Sequence, residues 1–272
     1  MLYQEMQLHV PGQQETAALI SYIPSNSPEI EQDRRRPAVI VCPGGGYHFL
    51  SDREAEPIAI RLNALGLNVF ILRYSVSPAR YPVPQRQLAM AVHLVRSQAA
   101  EFATDPNKIF VAGFSAGGHL AASLGILWKD AACFAELGLS PEAIRPNGMI
   151  LSYPVITSGE FAHRNSFLCL LGEKHDALKD QVSLEKRVTD DAVPAFIWHT
   201  YEDELVPVEN SLLLAMALRA HLVPMELHIY PFGRHGLSLS NNQVYGPDAK
   251  TAIRPECKDW IDMAARWIFS FE

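Results

Sequence analysis

Cysteine is scarce in this sequence of 272 residues, and its four cysteines lie far apart. None of them belongs to a C-x-x-C pair, so the pattern predicts neither a zinc site nor a framework of disulfide bonds. The histidines and glutamates also form no H-E-x-x-H motif of the kind that binds zinc on a helix. We therefore expect a protein that works without a metal ion or an organic cofactor.

Long apolar runs and a basic surface are also missing. No apolar stretch reaches the roughly 18 residues that would indicate a membrane span, so we expect no membrane partner. The first residues do not join a basic start to an apolar run as a secretory signal does, so we expect a cytoplasmic protein. The formal net charge of −7 argues against nucleic acid as a partner.

From residue 37 onwards, short apolar runs alternate with longer segments of helical periodicity. Because the runs are apolar nearly throughout, they are typical of strands in a parallel sheet that helices cover on both faces. We predict one α/β domain over residues 1–272. The predicted strands are 37–42, 67–74, 109–112, 148–152, 195–199 and 225–230, and the main predicted helices are 51–65, 85–102, 208–221 and 255–271.

Two further segments allow more specific structural predictions. Ser51 and Glu54 have the spacing of a capping box, in which each side chain binds an amide at the start of a helix. Residues 157–191 are polar, irregular and too long for a plain connection. We expect them to form a small cap over the carboxyl ends of the strands.

The strongest local signal is a G-x-S-x-G pentapeptide centred on Ser115. This motif indicates a nucleophilic serine when a strand precedes it and a helix follows it. The predicted strand 109–112 precedes it, and the helical spacing of Leu120, Leu124 and Leu127 predicts a helix after it. Side chains at positions 113 or 117 would collide with the neighbouring strand or helix, which explains the glycines. A glycine-rich turn that binds phosphate is the alternative, but no P-loop or dinucleotide motif accompanies it.

A second glycine-rich segment, PGGGY at residues 43–47, follows the first strand predicted above. When a serine attacks an ester, backbone amides can stabilise the oxyanion by several kcal/mol. The amide of Ala116, just after the nucleophile, is one expected donor. Consecutive glycines allow further amides to turn inward, although a flexible turn is the alternative. Next to these motifs, Tyr47, His48 and Phe114 are expected to contact substrate.

A general base and an acid should follow the serine in the chain. Only three histidines come after the predicted strand 195–199, and His235 is the one in a glycine-flanked loop directly after the last strand. An imidazole there could accept the serine proton while an acid holds its other nitrogen. Glu202, Asp203 and Glu204 all compete for the role of that acid.

The segments PGGGY, GFSAGGHLA, HTYEDELVPVENS and FGRHG together resemble the small α/β-hydrolase esterases, which include acetyl xylan esterases and hormone-sensitive-lipase-like carboxylesterases. The similarity runs from residue 37 to the C-terminus. It implies the α/β-hydrolase fold and a triad of Ser115, Asp203 and His235. Asp203 is favoured because its spacing to Val206 and Pro207 matches the D-x-x-V-P pattern of that fold.

The resemblance also implies that Gly45, Gly46 and Ala116 donate hydrogen bonds to the oxyanion. One difference limits the resemblance to the hormone-sensitive-lipase group. The pattern of that group begins this loop with histidine, where this sequence has Pro43. The carbohydrate-deacetylating branch is therefore the closer likeness. It implies a serine esterase that removes acetyl groups from sugars such as acetylated xylo-oligosaccharides.

Two other functions share these residues. A serine aminopeptidase of the prolyl-oligopeptidase type has the same triad order, and a ligand-binding homologue could keep the fold without catalysis. An apolar face on the last helix predicted here could join copies in a homo-oligomer, although packing onto the sheet is favoured. That face comprises Trp260, Ile261, Trp267 and Ile268.

Overall fold

One sheet of eight strands forms the centre of the computed structural model, which describes residues 1–271 apart from the side chains of residues 248, 250 and 251. The strands are ordered β1-β2-β4-β3-β5-β6-β7-β8 across the sheet. Their bounds are β1 Leu2–Leu8, β2 Ala17–Ile23, β3 Arg36–Cys42, β4 Asn68–Arg73, β5 Thr104–Phe114, β6 Gly148–Ser152, β7 Ala195–Thr200 and β8 Met225–Tyr230.

Strands β3 to β8 pair in parallel, whereas β1 and β2 are antiparallel to each other and β2 is antiparallel to β4. The six parallel strands are those that the sequence predicts, and the mostly parallel sheet is confirmed. The two N-terminal strands were not predicted. β1 lies at the edge with mostly exposed residues, so it lacks the continuous apolar run that marks the others.

Helices cover both faces of the sheet, because side chains alternate along each buried strand. In β3, Ile40 packs into one apolar core and Val41 into the other. Helices α2, α3 and α8 close the first core, and α1 and α9 close the second. The helices are α1 Glu56–Ala64, α2 Val83–Ser97, α3 Ala116–Leu127, α4 Ala131–Phe134, α5 Pro141–Ile144, α6 Arg164–Leu171, α7 His175–Leu178, α8 Glu209–Ala220 and α9 Trp260–Phe269.

The capping box at Ser51 and Glu54 is wrong. The Ser51 side chain makes no capping hydrogen bond, and a short 3-10 turn at Asp52–Glu54 precedes helix α1. Glu54 points into the protein, where it accepts a hydrogen bond from the Gly44 amide at 2.9 Å. Distant partners therefore override a local pattern that the spacing alone suggests.

The apolar face of the last helix packs onto the sheet, as favoured from the sequence. Trp260, Ile261 and Ile268 of α9 are buried in the second core. The Trp260 indole also donates a hydrogen bond to the carbonyl of Ser238. Among the described helices, none has both the length and the hydrophobicity that crossing a membrane requires.

Candidate active site

Ser115 lies on a sharp turn between strand β5 and helix α3. Its backbone has φ +53° and ψ −118°, a left-handed conformation that a non-glycine residue adopts only under strain. A Cβ atom on Gly117 would lie 2.1 Å from the carbonyl oxygen of Cys42, and one on Gly113 would lie 2.0 Å from that of Gly117. The steric need for both glycines, predicted from the motif, is confirmed.

The structure brings Ser115, His235 and Asp203 into one hydrogen-bonded chain. The Ser115 Oγ lies 2.8 Å from His235 Nε2, and His235 Nδ1 lies 2.6 Å from Asp203 Oδ2. The three residues follow strands β5, β8 and β7, whose carboxyl ends meet at one edge of the parallel sheet. Residues far apart in the sequence therefore converge where ligands usually bind in such folds.

Asp203 is held by more than His235. Its Oδ1 accepts hydrogen bonds from the amides of Leu205 and Val206, and its Oδ2 lies 3.3 Å from Nε2 of the buried His199. Burial alone would raise the pKa of Asp203, but the hydrogen bonds from His199 and His235 outweigh burial and lower it. The carboxylate therefore stays ionised beside the imidazole.

The two competing acids of this loop are placed differently. Glu202 and Glu204 are exposed, and Glu202 accepts a hydrogen bond from the amide of Gly233. Only Asp203 of the three is within hydrogen-bonding distance of His235 in the described structure. The geometry thus agrees with the choice that the family resemblance implies.

The proposed oxyanion donors lie beside Ser115 with their amides unused. No described group accepts a hydrogen bond from the backbone amides of Gly45, Gly46 or Ala116. The loop itself is fixed, because the Tyr74 hydroxyl donates to the Pro43 carbonyl at 2.7 Å. Amides held in place without a protein partner are suited to binding an oxygen of a ligand.

A cleft of about 370 Å³ opens over the serine. His48 lines it, as expected for a residue that contacts substrate. Phe49, which the sequence analysis did not single out, is exposed at the same wall. The cleft is lined by Gly45, Gly46, His48, Phe49, Ser51, Arg53, Glu54, Ser115, His163, Asn165, Leu205, His235 and Gly236.

The expected substrate contacts of Tyr47 and Phe114 need correction. The Tyr47 side chain is buried, and its hydroxyl bonds Nδ1 of the buried His119 at 2.9 Å. Phe114 is also buried, packed against the rings of Tyr153 and Trp260. Neither side chain lines the cleft, because adjacent residues on a strand or turn point in different directions.

Residues 157–191 contain helices α6 and α7 and reach the cleft through His163 and Asn165. The buried Asn210 of α8 anchors the start of this segment by accepting from the amide of Thr157 and donating to the carbonyl of Phe161. Burial, together with the nearby His235, lowers the pKa of His163. A neutral imidazole is therefore available at the cleft wall.

Several cleft residues escaped the sequence analysis. His163 and Asn165 lie at the start of helix α6, where no sequence motif marks them. Leu205 lies within the D-x-x-V-P pattern but was not singled out, and Glu54 was assigned to a capping box. The only signal that could have found Leu205 is its position two residues after Asp203. Within the described residues, no group of three or more histidine, cysteine, aspartate or glutamate side chains is arranged to hold a metal ion.

This arrangement suits nucleophilic catalysis. His235 can accept the Ser115 proton, Asp203 can hold the resulting imidazolium, and free amides can bind the developing negative charge. The order of the three residues in the chain, serine then acid then histidine, is that of the α/β-hydrolase fold.

Comparison with known proteins agrees with this geometry. The family model described as BD-FAE matches residues 22–218. The chain is 38% identical over 222 residues to endo-1,4-beta-xylanase B of Butyrivibrio fibrisolvens, an alignment that covers 78% of the chain and 34% of that protein. It is 32% identical over 208 residues to an acetylxylan esterase of Xylanibacter ruminicola, covering 73% of the chain and 40% of that protein.

The chain thus spans between about a third and two fifths of the length of these two relatives. Among solved structures, it resembles an acetyl ester-xyloside bifunctional hydrolase from Caldicellulosiruptor lactoaceticus, with a TM-score of 0.79 and 38% identity. That match covers 97% of this chain and 91% of the other. The α/β-hydrolase fold predicted from the sequence motifs is confirmed.

Proposed function

Because the chain belongs to the BD-FAE family, we propose that it is a serine esterase that removes short acyl groups, chiefly acetyl, from the hydroxyls of carbohydrates. The observation that carries this proposal is the hydrogen-bonded chain from Ser115 through His235 to Asp203 at the floor of a cleft. Activated serines with a histidine base and an orienting acid perform acyl transfer.

The proposed reaction begins when His235 Nε2 takes the Ser115 proton and Oγ attacks the carbonyl carbon of the ester. The carbonyl oxygen gains negative charge, which the amides of Gly45, Gly46 and Ala116 stabilise. The C–O bond to the sugar then breaks, and the imidazolium gives its proton to the leaving hydroxyl. An acyl group remains on Ser115.

Water completes the cycle. His235 removes a proton from a water molecule, and the hydroxide attacks the acyl carbon, again with its charge on the oxygen that faces the glycine loop. Collapse releases the carboxylic acid and returns the proton to Ser115 Oγ. Asp203 stays ionised throughout, because its hydrogen bonds lower its pKa.

The substrate class is supported by the names of the relatives, which include an acetylxylan esterase and an acetyl ester-xyloside hydrolase. The cleft is large enough for this class, because a volume of about 370 Å³ accommodates an acetylated sugar ring. We further propose that residues 157–191 form a cap on a single domain, whose His163 and Asn165 contact the sugar. Acetylated xylo-oligosaccharides are the specific substrates proposed.

The test is hydrolysis of 4-nitrophenyl acetate, butyrate and octanoate, with acetylated xylo-oligosaccharides measured in parallel for released acetate. Ser115→Ala should lower kcat by about 10⁵-fold, because the attacking group is lost. Ser123→Ala is the matched control: it removes a buried hydroxyl from the same helix, where Ser123 bonds the carbonyl of His119. That variant should keep its activity.

Any of three outcomes would contradict the proposal. Ester hydrolysis that survives Ser115→Ala would remove Ser115 from the mechanism. A wild-type protein that cleaves no ester but hydrolyses amino-acid 4-nitroanilides would be a peptidase, and one that only binds such ligands would be a binding protein.

A further inference from the structure

Glu54 is a buried carboxylate in the wall of the cleft that the proposed reaction does not use. It is only 3% exposed and lies at the end of the 3-10 turn that follows the glycine loop. Its Oε2 accepts a hydrogen bond from the Gly44 amide at 2.9 Å, and its Oε1 accepts one from the Tyr153 hydroxyl at 2.7 Å. Both carboxylate oxygens are therefore engaged, one of them by the loop of the proposed oxyanion amides.

Tyr153 connects this carboxylate to the loop of the base. It follows strand β6 directly, and its hydroxyl oxygen accepts a hydrogen bond from the Ser238 amide at 3.0 Å. Its ring meets the His235 ring edge to face, with centroids 5.0 Å apart. Burial and the neighbouring Glu54 raise the pKa of Tyr153, so its hydroxyl keeps the proton that it donates.

We infer that Glu54 and Tyr153 form a brace that sets the position of the oxyanion amides relative to His235, with Glu54 as its central positioning residue. The brace spans three loops, those after strands β3, β6 and β8. It ties Gly44 at one end to Ser238 at the other through two side chains. This inference rests on the proposed function, because it concerns the same site.

The residues of the brace are closely packed. A Cβ atom on Gly44 would lie 2.7 Å from Glu54 Oε2 and 3.1 Å from the Cβ of Ser115, so the glycine loop is in close contact with both. Gly44 is also the residue directly before Gly45. A shift of about 1 Å in catalytic geometry can cost about 100-fold in rate. A displacement of Gly44 would also move the amide of Gly45, and it should therefore lower the rate of the reaction.

The brace also explains why a carboxylate is buried here. An unpaired buried carboxylate is costly, and this one is offset by two hydrogen bonds that hold separate loops. An apolar side chain of similar size at position 54 would fill the space but could not accept from the two donors, and serine or alanine would leave a cavity as well. Binding both the Gly44 amide and the Tyr153 hydroxyl from this position therefore requires two acceptor oxygens in one rigid group.

The experiment compares Glu54→Ala, Glu54→Gln and Tyr153→Phe with wild type, using 4-nitrophenyl acetate. Glu54→Ala should lower kcat about 100-fold while KM changes less than about threefold, because the lost alignment acts on the transition state. Glu54→Gln should lose only about tenfold, since its amide oxygen still accepts from Gly44. Tyr153→Phe, which keeps its ring against His235, should fall near Glu54→Gln.

A second readout separates positioning from folding. The inhibition constant of a trifluoromethyl ketone, which binds serine as a charged tetrahedral adduct, should rise in the three variants in proportion to the loss of kcat/KM. Asp52→Asn is the matched control, because Asp52 is an exposed carboxylate of the same turn that bonds Arg73. This substitution should leave both the inhibition constant and kcat/KM within twofold of wild type.

The outcomes are distinguishable. If kcat per folded molecule, counted by complete organophosphate labelling of Ser115, stays within twofold of wild type in both Glu54 variants, the brace has no positioning role. A drop in melting temperature with an unchanged inhibition constant would likewise overturn the inference and leave a structural role. An inactive wild-type protein would instead overturn the proposed function itself.

Discussion

The two sides of the cleft differ in how firmly they are held. On the inner side, Ser115 and Asp203 are 8% and 4% exposed, and their side chains are joined through His235. On the outer side, the Phe49 and Leu205 side chains are 58% and 53% exposed. The proposed acyl-transfer groups are thus fixed by the fold, whereas Phe49 and Leu205 lie exposed on loops.

This difference suits the chemistry proposed for each side of the cleft. Proton transfer and oxyanion binding depend on distances that tolerate little error, so burial and hydrogen bonds are needed. Recognition of an alcohol depends on surface shape, which loops can change without disturbing the sheet. Small substitutions on the inner side should therefore cause large losses of activity, whereas substitutions on the outer side should cause small losses.

After Ser115→Ala, the largest effect should come from Asp203→Asn. Its side-chain oxygen can still accept from the amides of Leu205 and Val206, but its NH₂ group would face His235 Nδ1. The imidazole would then adopt the wrong tautomer, and kcat for 4-nitrophenyl acetate should fall about 10⁴-fold. Stopped-flow or steady-state assays at pH 7 to 8 measure this.

Glu204→Gln is the control for that substitution, because it neutralises an exposed acid in the same loop. Its activity should match wild type within about twofold, as expected for a solvated charge. A large loss in Glu204→Gln with little loss in Asp203→Asn would reassign the acid and break the contrast between the two sides.

A smaller effect concerns His119, which lies fully buried beneath the cleft. Burial lowers its pKa from 6.5 to about 4, and its Nε2–H donates to the carbonyl of Val182. Between pH 6.5 and about 4 the unfolded chain binds a proton here and the folded chain does not. Stability should therefore decline by about 3 kcal/mol as the pH falls through this window, and is retained above it.

Urea unfolding at several pH values from 7 to 4 measures this decline. His119→Gln should flatten the slope in that window, whatever its effect on stability at pH 7. His93→Gln is the control, since His93 lies on helix α2 and is only half-buried. An equal slope in wild type and His119→Gln would show that other groups cause the acid sensitivity.

The smallest effect should come from the outer side. Phe49→Ala removes an exposed ring at the cleft mouth, and KM for acetylated xylo-oligosaccharides should rise about threefold to tenfold with kcat nearly constant. Phe232→Ala removes a similarly exposed ring that does not line the cleft. A fall in kcat for Phe49→Ala would show that Phe49 affects the reaction itself, and it would contradict the proposed difference between the inner and outer sides of the cleft.

Sequence reasoning predicted what depends on local pattern. Strand β6 agrees residue for residue with the prediction, because an apolar run of 5 residues is long enough for a buried strand but too short for a typical buried helix. The serine turn agrees as well, since only glycine fits its close contacts. Strand β1 was missed because an exposed edge strand carries no continuous apolar run.

The misassigned residues fail for a different reason. Glu54 fits a capping box locally, yet its partners Gly44 and Tyr153 lie 10 and 99 residues away. Tyr47 adjoins the glycine loop but turns its side chain to His119, 72 residues away. Such contacts depend on the assembled tertiary structure, which a spacing rule does not contain.

The separation of the triad along the chain affects how activity returns after denaturation. Ser115 and His235 are 120 residues apart, and His235 follows β8, which lies at one edge of the sheet. Contacts between such distant residues form slowly because a long loop must close first. During refolding, the recovery of ester hydrolysis would therefore report when that edge strand docks, whereas the far-ultraviolet circular dichroism signal would report the secondary structure of the whole chain.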